Sequence, residues 1–270
     1  MNDLIAIWGK NGTGKSTVAS NLACWLAKNG HTTAIIGANP LFGSIQHFFN
    51  ADIPAERSIR HLLAGQESMG MSQYFNECPA VKRLSIASLA NSDDCLGYRP
   101  EKPDSVIRFL GIAKRSYRYT ICDCDESPED PLSMHCLAES SRIAYVTSLT
   151  VQGFAFSKAC ESLVQGLRIA DRMEIVVNAP DARAGVGLSG CRLFGIERKA
   201  TVLPFCKDVR HAACAGKPFA LTNCAGRQAS RYRAALEALA QKLSRADGGW
   251  QCQTAEGRHG YAREPDCSGD

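Results

Sequence analysis

Residues 4–17 read Leu4-Ile5-Ala6-Ile7-Trp8-Gly9-Lys10-Asn11-Gly12-Thr13-Gly14-Lys15-Ser16-Thr17, an apolar strand running into a glycine-rich loop that closes on Lys-Ser-Thr. Glycines let successive backbone N–H groups turn inward with no Cβ in the way, so such a loop cradles an anion of several charges. Val18, Leu22, Trp25 and Leu26 then recur at helical spacing, and Asn29-Gly30 ends that helix. The positive end of the helix adds to the field inside the loop. Gly-x-x-x-x-Gly-Lys-Ser between a strand and a helix is the P-loop arrangement, in which Lys15 reaches the β- and γ-phosphates of a nucleotide and the Ser16 hydroxyl sits on magnesium. Gly9 to Thr17 are therefore the candidate nucleotide-binding residues.

Working outward, short apolar runs at 32–36, 84–88, 118–123, 142–147, 173–177 and 201–204 read as strands. With residues 4–8 they make seven, alternating with helical patterns at 58–65, 104–116, about 154–167 and 228–244. The pattern predicts an α/β fold, a doubly wound and mainly parallel seven-stranded sheet with helices on both faces, carrying nucleotide at the carboxyl ends of its strands. Asp104 or Ser105 is the expected cap of its helix. The strand at 118–123 delivers Asp123 at its end, the place of an acid that holds magnesium through water opposite Ser16. Asp125, Glu126, Glu129 and Asp130 follow and read as a solvated acidic loop.

Lys10 lies just inside the first glycine, and Gly-Lys-Asn-Gly-Thr-Gly-Lys-Ser resembles the deviant Walker A loop of the MinD/ParA ATPases, with Asn11 where that family usually has glycine. The resemblance extends over about residues 1–245. It implies an ATP- and magnesium-binding protein that forms a homodimer with nucleotide between the subunits, Lys10 contacting phosphate across the interface. It also implies that Asn178, at the end of the strand at 173–177, reads the adenine edge, and that Pro204 lies beside the base. Asn178 reads almost as well as a turn residue before Ala179-Pro180. Where the family has Asp-x-Asp after its second strand, this chain has Gly37-Ala38-Asn39. An amide hydrogen-bonds water but does not take its proton as a carboxylate does. Among the candidate catalytic residues Lys10, Lys15 and Asn39, the last therefore implies weak or absent hydrolysis. That departure, and the absence of an obvious membrane helix, suit the divergent pilus-assembly and polar-localisation members of the CpaE/TadZ type, which work with protein partners. A ParA-type partition ATPase, a CooC-like metal-insertion ATPase with a thiol or histidine site at its dimer interface, and a purely nucleotide-gated interaction module are the alternatives.

The remaining composition bounds these readings. The 270 residues, 45% of them hydrophobic, suffice for one large core or two small ones; the simpler reading is one nucleotide-binding domain at 1–246 with a polar, aperiodic tail at 247–270. Met-Asn-Asp leads almost directly into the first strand without the apolar core of a signal peptide, so a cytoplasmic location is expected. A formal net charge of +4 suits ATP or an acidic partner and accommodates DNA without requiring it. Arg227, Arg231 and Arg233 make a small candidate DNA-facing patch, with a solvated helix face as the default. Tyr232, Leu236, Leu239 and Leu243 form a narrow stripe expected to pack on the sheet, which leaves peripheral membrane contact open without supplying a clear membrane helix. The thirteen cysteines include no Cys-x-x-Cys pair, and His47 and His61 have no second ligand at useful spacing. Cys122-Asp123-Cys124 puts two thiols on one face of a strand, but a metal or redox role needs a partner that spacing does not identify, so core packing is the expectation.

Overall fold

The computed structural model describes residues 2–95, 102–178 and 200–244. In chain order the elements are β1 (Asp3–Trp8), α1 (Lys15–Lys28), β2 (Thr33–Gly37), α2 (Ile59–Leu63), β3 (Asn76–Glu77), β4 (Leu84–Ala87), α3 (Pro103–Ser116) and β5 (Tyr119–Asp123). Then come α4 (Pro131–Glu139), β6 (Arg142–Thr147), α5 (Val151–Ala159), α6 (Glu161–Gly166), β7 (Met173–Asn178), β8 (Thr201–Leu203), α7 (Lys207–Cys214) and α8 (Arg227–Ser244). The strands form one sheet in the order β3-β4-β2-β5-β1-β6-β7-β8, parallel throughout except where β3 meets β4. The seven expected strands are all present. The eighth, β3, is a two-residue antiparallel edge, too short to leave any periodicity in the sequence.

Alternation along β1 divides the core in two. Ile5 and Ile7 pack under α1 and α8, whereas Leu4, Ala6 and Trp8 pack under α3 and α4. The stripe on α8 is spent in the first of these layers, with Tyr232, Leu236, Leu239 and Leu243 all buried. No helix among the described residues is long and apolar enough to cross a membrane. Arg233 donates to the Thr222 carbonyl at 3.1 Å and lies over the Phe219 ring, so of the three arginines only Arg227 and Arg231 form an exposed basic pair.

Several local expectations are corrected. Helix α3 starts earlier than expected, with Lys102 in the cap position and Pro103 in the first turn, so Asp104 favours the helix through its dipole rather than as the cap. The helix expected through Phe154 and Leu167 is two short ones, α5 and α6, which meet at Cys160. The acidic stretch ends in a helix that the apolar pattern did not reveal: Asp130 is buried, and its carboxylate caps α4 by accepting from the Ser133 N–H at 2.8 Å. Residues 181–190, which read in the sequence as a glycine-containing loop, and the expected tail at 247–270 lie outside the described residues.

Because β1 is flanked by β5 and β6, the loop that leaves it passes close over the sheet. Gly9, at φ 144°, has no room for a side chain: a Cβ there would stand 2.1 Å from the Val146 carbonyl oxygen. Gly9→Ala should therefore destabilise the protein by more than about 2 kcal/mol. Urea unfolding followed by circular dichroism checks this, and the midpoint should fall with little change in slope.

Candidate functional site

The loop from Gly9 to Gly14 and the start of α1 open onto a cleft of about 330 Å³ at the carboxyl edge of the sheet. Its wall includes Asn11, Gly12, Lys15 and Ser16 from the loop, Asn39 after β2, and Asp123 and Asp125 from the end of β5. Gly14 stands at the helix N-cap with φ 88°, in the left-handed region, and no side chain caps the helix. Among the described residues, no side chain bonds the first N–H groups of α1, the place where a phosphate would use them.

Lys15 is buried, and its ammonium donates to the Gly9 carbonyl at 2.9 Å and to Asn11 Oδ1 at 2.7 Å. Burial lowers its pKa, opposed by the negative charge of Asp123, Asp125 and Glu126. Asn11, the departure from the usual loop glycine, holds the lysine with its side chain while its backbone N–H donates to Glu126 Oε2. Glu126 therefore reaches the loop, unlike the solvated acid the sequence suggested. Lys10 lies at the rim, its ammonium 3.4 Å from the Asn11 carbonyl, and Thr13 closes the loop through Oγ1 on the Lys10 carbonyl at 2.7 Å.

Asp123 faces Ser16 and Lys15 from below the loop. Burial pushes its carboxyl up to about 7, and the Ser16 hydroxyl and Lys15 ammonium pull the other way. Its Oδ1 is buried and has no hydrogen-bond partner among the described residues. An orphaned carboxylate oxygen beside a P-loop serine is a hard oxygen donor set that suits magnesium, so these residues fit the cation the motif implies. Burial here favours the neutral acid, and a cation restores the charge.

Asn39 also lines the cleft, but its Oδ1 accepts from the Leu41 N–H at 2.9 Å and the Phe42 N–H at 3.2 Å. It turns the chain after β2 instead of presenting an acceptor to a water. Gly37, at the end of β2 opposite Asp123, has no space for an aspartate, since a Cβ there would stand 2.8 Å from Ile45 and 3.0 Å from Ser88. Asn178 and Pro204 are not among the residues that line the cleft; Asn178 pairs in register with Leu203, the residue before Pro204, so the two residues assigned to the base lie at neighbouring strand ends. The Asn178 amide nitrogen donates to the Thr13 carbonyl at 2.8 Å, which ties β7 to the back of the loop. Sequence reasoning missed this bracing role, because no local pattern links positions 165 residues apart.

No protein-family model matches the sequence, and no curated protein matches it either. Solved structures do. The septum site-determining protein MinD of Pyrococcus horikoshii OT3, complexed with Mg-ADP, is 16% identical, with a TM-score of 0.73 over 90% of this chain and 96% of that one. The chain has the fold of the MinD and ParA ATPases. A ParA family ATPase from Chlorobium tepidum TLS is 14% identical, with a TM-score of 0.68 over 87% of this chain and 97% of its own. The Cyanothece McdA(D38A)-ATP complex is 13% identical, with a TM-score of 0.66 over 88% and 96%. This MinD/ParA-like fold runs through almost the whole of those proteins, in keeping with the resemblance seen in the loop.

The carboxyl of Asp123 is raised in the folded chain, so the folded state binds its proton more tightly than the unfolded one. The stability of the ligand-free protein should fall as pH rises from about 4 through about 7 on account of this group. Asp123→Asn should flatten that part of the profile and raise stability at pH 8 by about 2 kcal/mol. Thermal melts across pH measure the first effect. Nucleotide titrations with and without magnesium should show that the same variant loses the magnesium-dependent part of binding.

Proposed function

We propose that this chain is an ATP- and magnesium-binding member of the MinD/ParA family that works as a nucleotide-dependent switch with weak or absent hydrolysis. The reading starts from Lys15, Ser16 and Asp123 meeting in one cleft below uncapped helix N–H groups. Lys15 and the loop amides from Gly12 to Thr17 hold the phosphates, Ser16 and Asp123 hold the magnesium, and Asn178 and Pro204 flank the base. Magnesium, when bound, neutralises phosphate charge. Mg-ADP in the Pyrococcus horikoshii protein and ATP in the McdA complex support nucleotide as the ligand.

The observation that carries weak hydrolysis is the state of Asn39. Its side-chain oxygen is committed to two backbone N–H groups of the following turn, and an amide at that position has no basic lone pair to offer a water. The role left to the nucleotide is structural. Leu41 and Phe42 follow Asn39 and are 52% and 55% exposed, an apolar pair on the rim of the cleft. A second copy facing the cleft would cover them and bring its Lys10 to the phosphates, which gives the homodimer and the trans contact that the loop resemblance implies. An exposed apolar pair beside the cleft suits a protein partner in an assembly or localisation system, and we place the chain nearest the CpaE/TadZ type in the cytoplasm. Another MinD structure of the same fold, from Aquifex aeolicus, is a MinC:MinD complex, which supports a protein partner. The partition reading loses support from Arg233, which is used to hold a loop.

Asn39→Asp should raise phosphate release by at least about tenfold, the scale of a positioned general base. A malachite-green assay of native protein and variant decides it. Native turnover that equals the variant's and disappears in Lys15→Ala would contradict the switch reading.

A further inference from the structure

The two thiols of Cys122-Asp123-Cys124 have the partner that the sequence left unnamed. Asp123 points to the loop side of the sheet, so Cys122 and Cys124 point to the opposite side, into the layer covered by α4. There Cys136 of α4 meets them, and the three sulfurs all lie within 4.8 Å of one another. These arrive from a strand, the residue after it, and a helix. They are the only such group of potential metal ligands among the described residues.

The surroundings favour an ion over bare packing. Leu132, Leu137 and Ile143 line the same layer, so little water competes for the sulfurs. Ser133 supplies an oriented polar group beside Cys124: its hydroxyl accepts from the Asp125 N–H at 2.7 Å, while the Cys124 thiol donates to the Cys122 carbonyl at 3.7 Å. Polar groups fixed beside the ligands orient a metal site. Cys124 also stands in the cleft wall, so the cluster adjoins the cleft at one residue.

We propose that Cys122, Cys124 and Cys136 form an intrachain site for a thiophilic closed-shell cation, Cu(I) or Zn(II). Three soft sulfur donors select these ions over magnesium or calcium. Each thiol that ligates releases its proton, and no electron is transferred. No fourth protein donor is found with them among the described residues, which favours three-coordinate Cu(I); Zn(II) prefers four ligands and would take its fourth from the cleft. The site lies inside one subunit, unlike the interfacial thiol site expected of a metal-insertion ATPase, and it needs no nucleotide. A bound ion would join α4 to Cys124, and hence to the loop that carries Asp125 and Glu126.

The test is an anaerobic titration of reduced full-length protein with Cu(I) against bicinchoninate, and separately with Zn(II) against a chromophoric chelator. The native chain should hold one equivalent of one of these ions, and Cys136→Ser should bind it at least tenfold more weakly. Cys95→Ser and Cys214→Ser, at exposed thiols, should leave it unchanged. Should Cys136→Ser fail to fold, X-ray absorption of the loaded native protein decides. Three sulfurs alone support Cu(I), and three sulfurs with one lighter atom support Zn(II). A first shell dominated by nitrogen or oxygen overturns the proposal. So does a native chain that retains neither ion against the competitor, a folded Cys136→Ser variant that binds as the native chain does, or a Cys124–Cys136 disulfide in the protein as isolated.

Discussion

The Lys15 ammonium is held in the protein interior between a backbone carbonyl, the Asn11 side chain and the charge of three acids, and the architecture around the cleft follows from that placement. A buried cation is costly unless it is paired and hydrogen-bonded. Here the loop wraps it on one side and β5 brings Asp123 to the other. The loop can wrap so closely only because Gly9 slides under Val146 and Gly14 turns left-handed against Asn178. The pocket is thus shaped in advance for an anion, with donors on the loop and a desolvated carboxylate that needs a cation.

The departures from the usual loop act on this same charge balance. Asn11 supplies an oxygen to Lys15, and Glu126 takes the Asn11 N–H, so donors suited to a phosphate already have protein partners. Entry of a nucleotide exchanges one set of acceptors for another, which lowers its net gain. Asn39 and Gly37 put no carboxylate on the other side of the cleft, and Ile45 and Ser88 leave no room for a side chain at Gly37. On the proposed reading, the cleft keeps residues suited to phosphate and magnesium and has no side chain poised as a base at position 39. Such a site suits a protein that uses nucleotide to change its surface.

Most of the sheet could be read from the chain because parallel strands buried on both faces are continuous apolar runs, as at Ile5-Ala6-Ile7 and Ala34-Ile35-Ile36. The loop was legible for a different reason: phosphate binding demands particular residues at fixed spacing. What escaped depends on contacts distant in sequence or on capping chemistry. Helix α4 has little apolar periodicity, though Asp130-Pro131 was a usable start signal. Asn178 bracing Thr13 and Cys136 completing a thiol cluster are juxtapositions that only the folded chain creates. The adenine-side assignments of Asn178 and Pro204 rest on neighbouring strand ends and remain part of the functional proposal.

The central claim is that this cleft grips a nucleotide through Lys15 and the loop amides. Isothermal titration calorimetry of the native protein and Lys15→Ala with ATP and with ADP, at millimolar magnesium, tests it most directly. The account predicts saturable one-site heat for the native chain and its loss in the folded variant. Absence of heat with both nucleotides, or equal binding by Lys15→Ala, would contradict it.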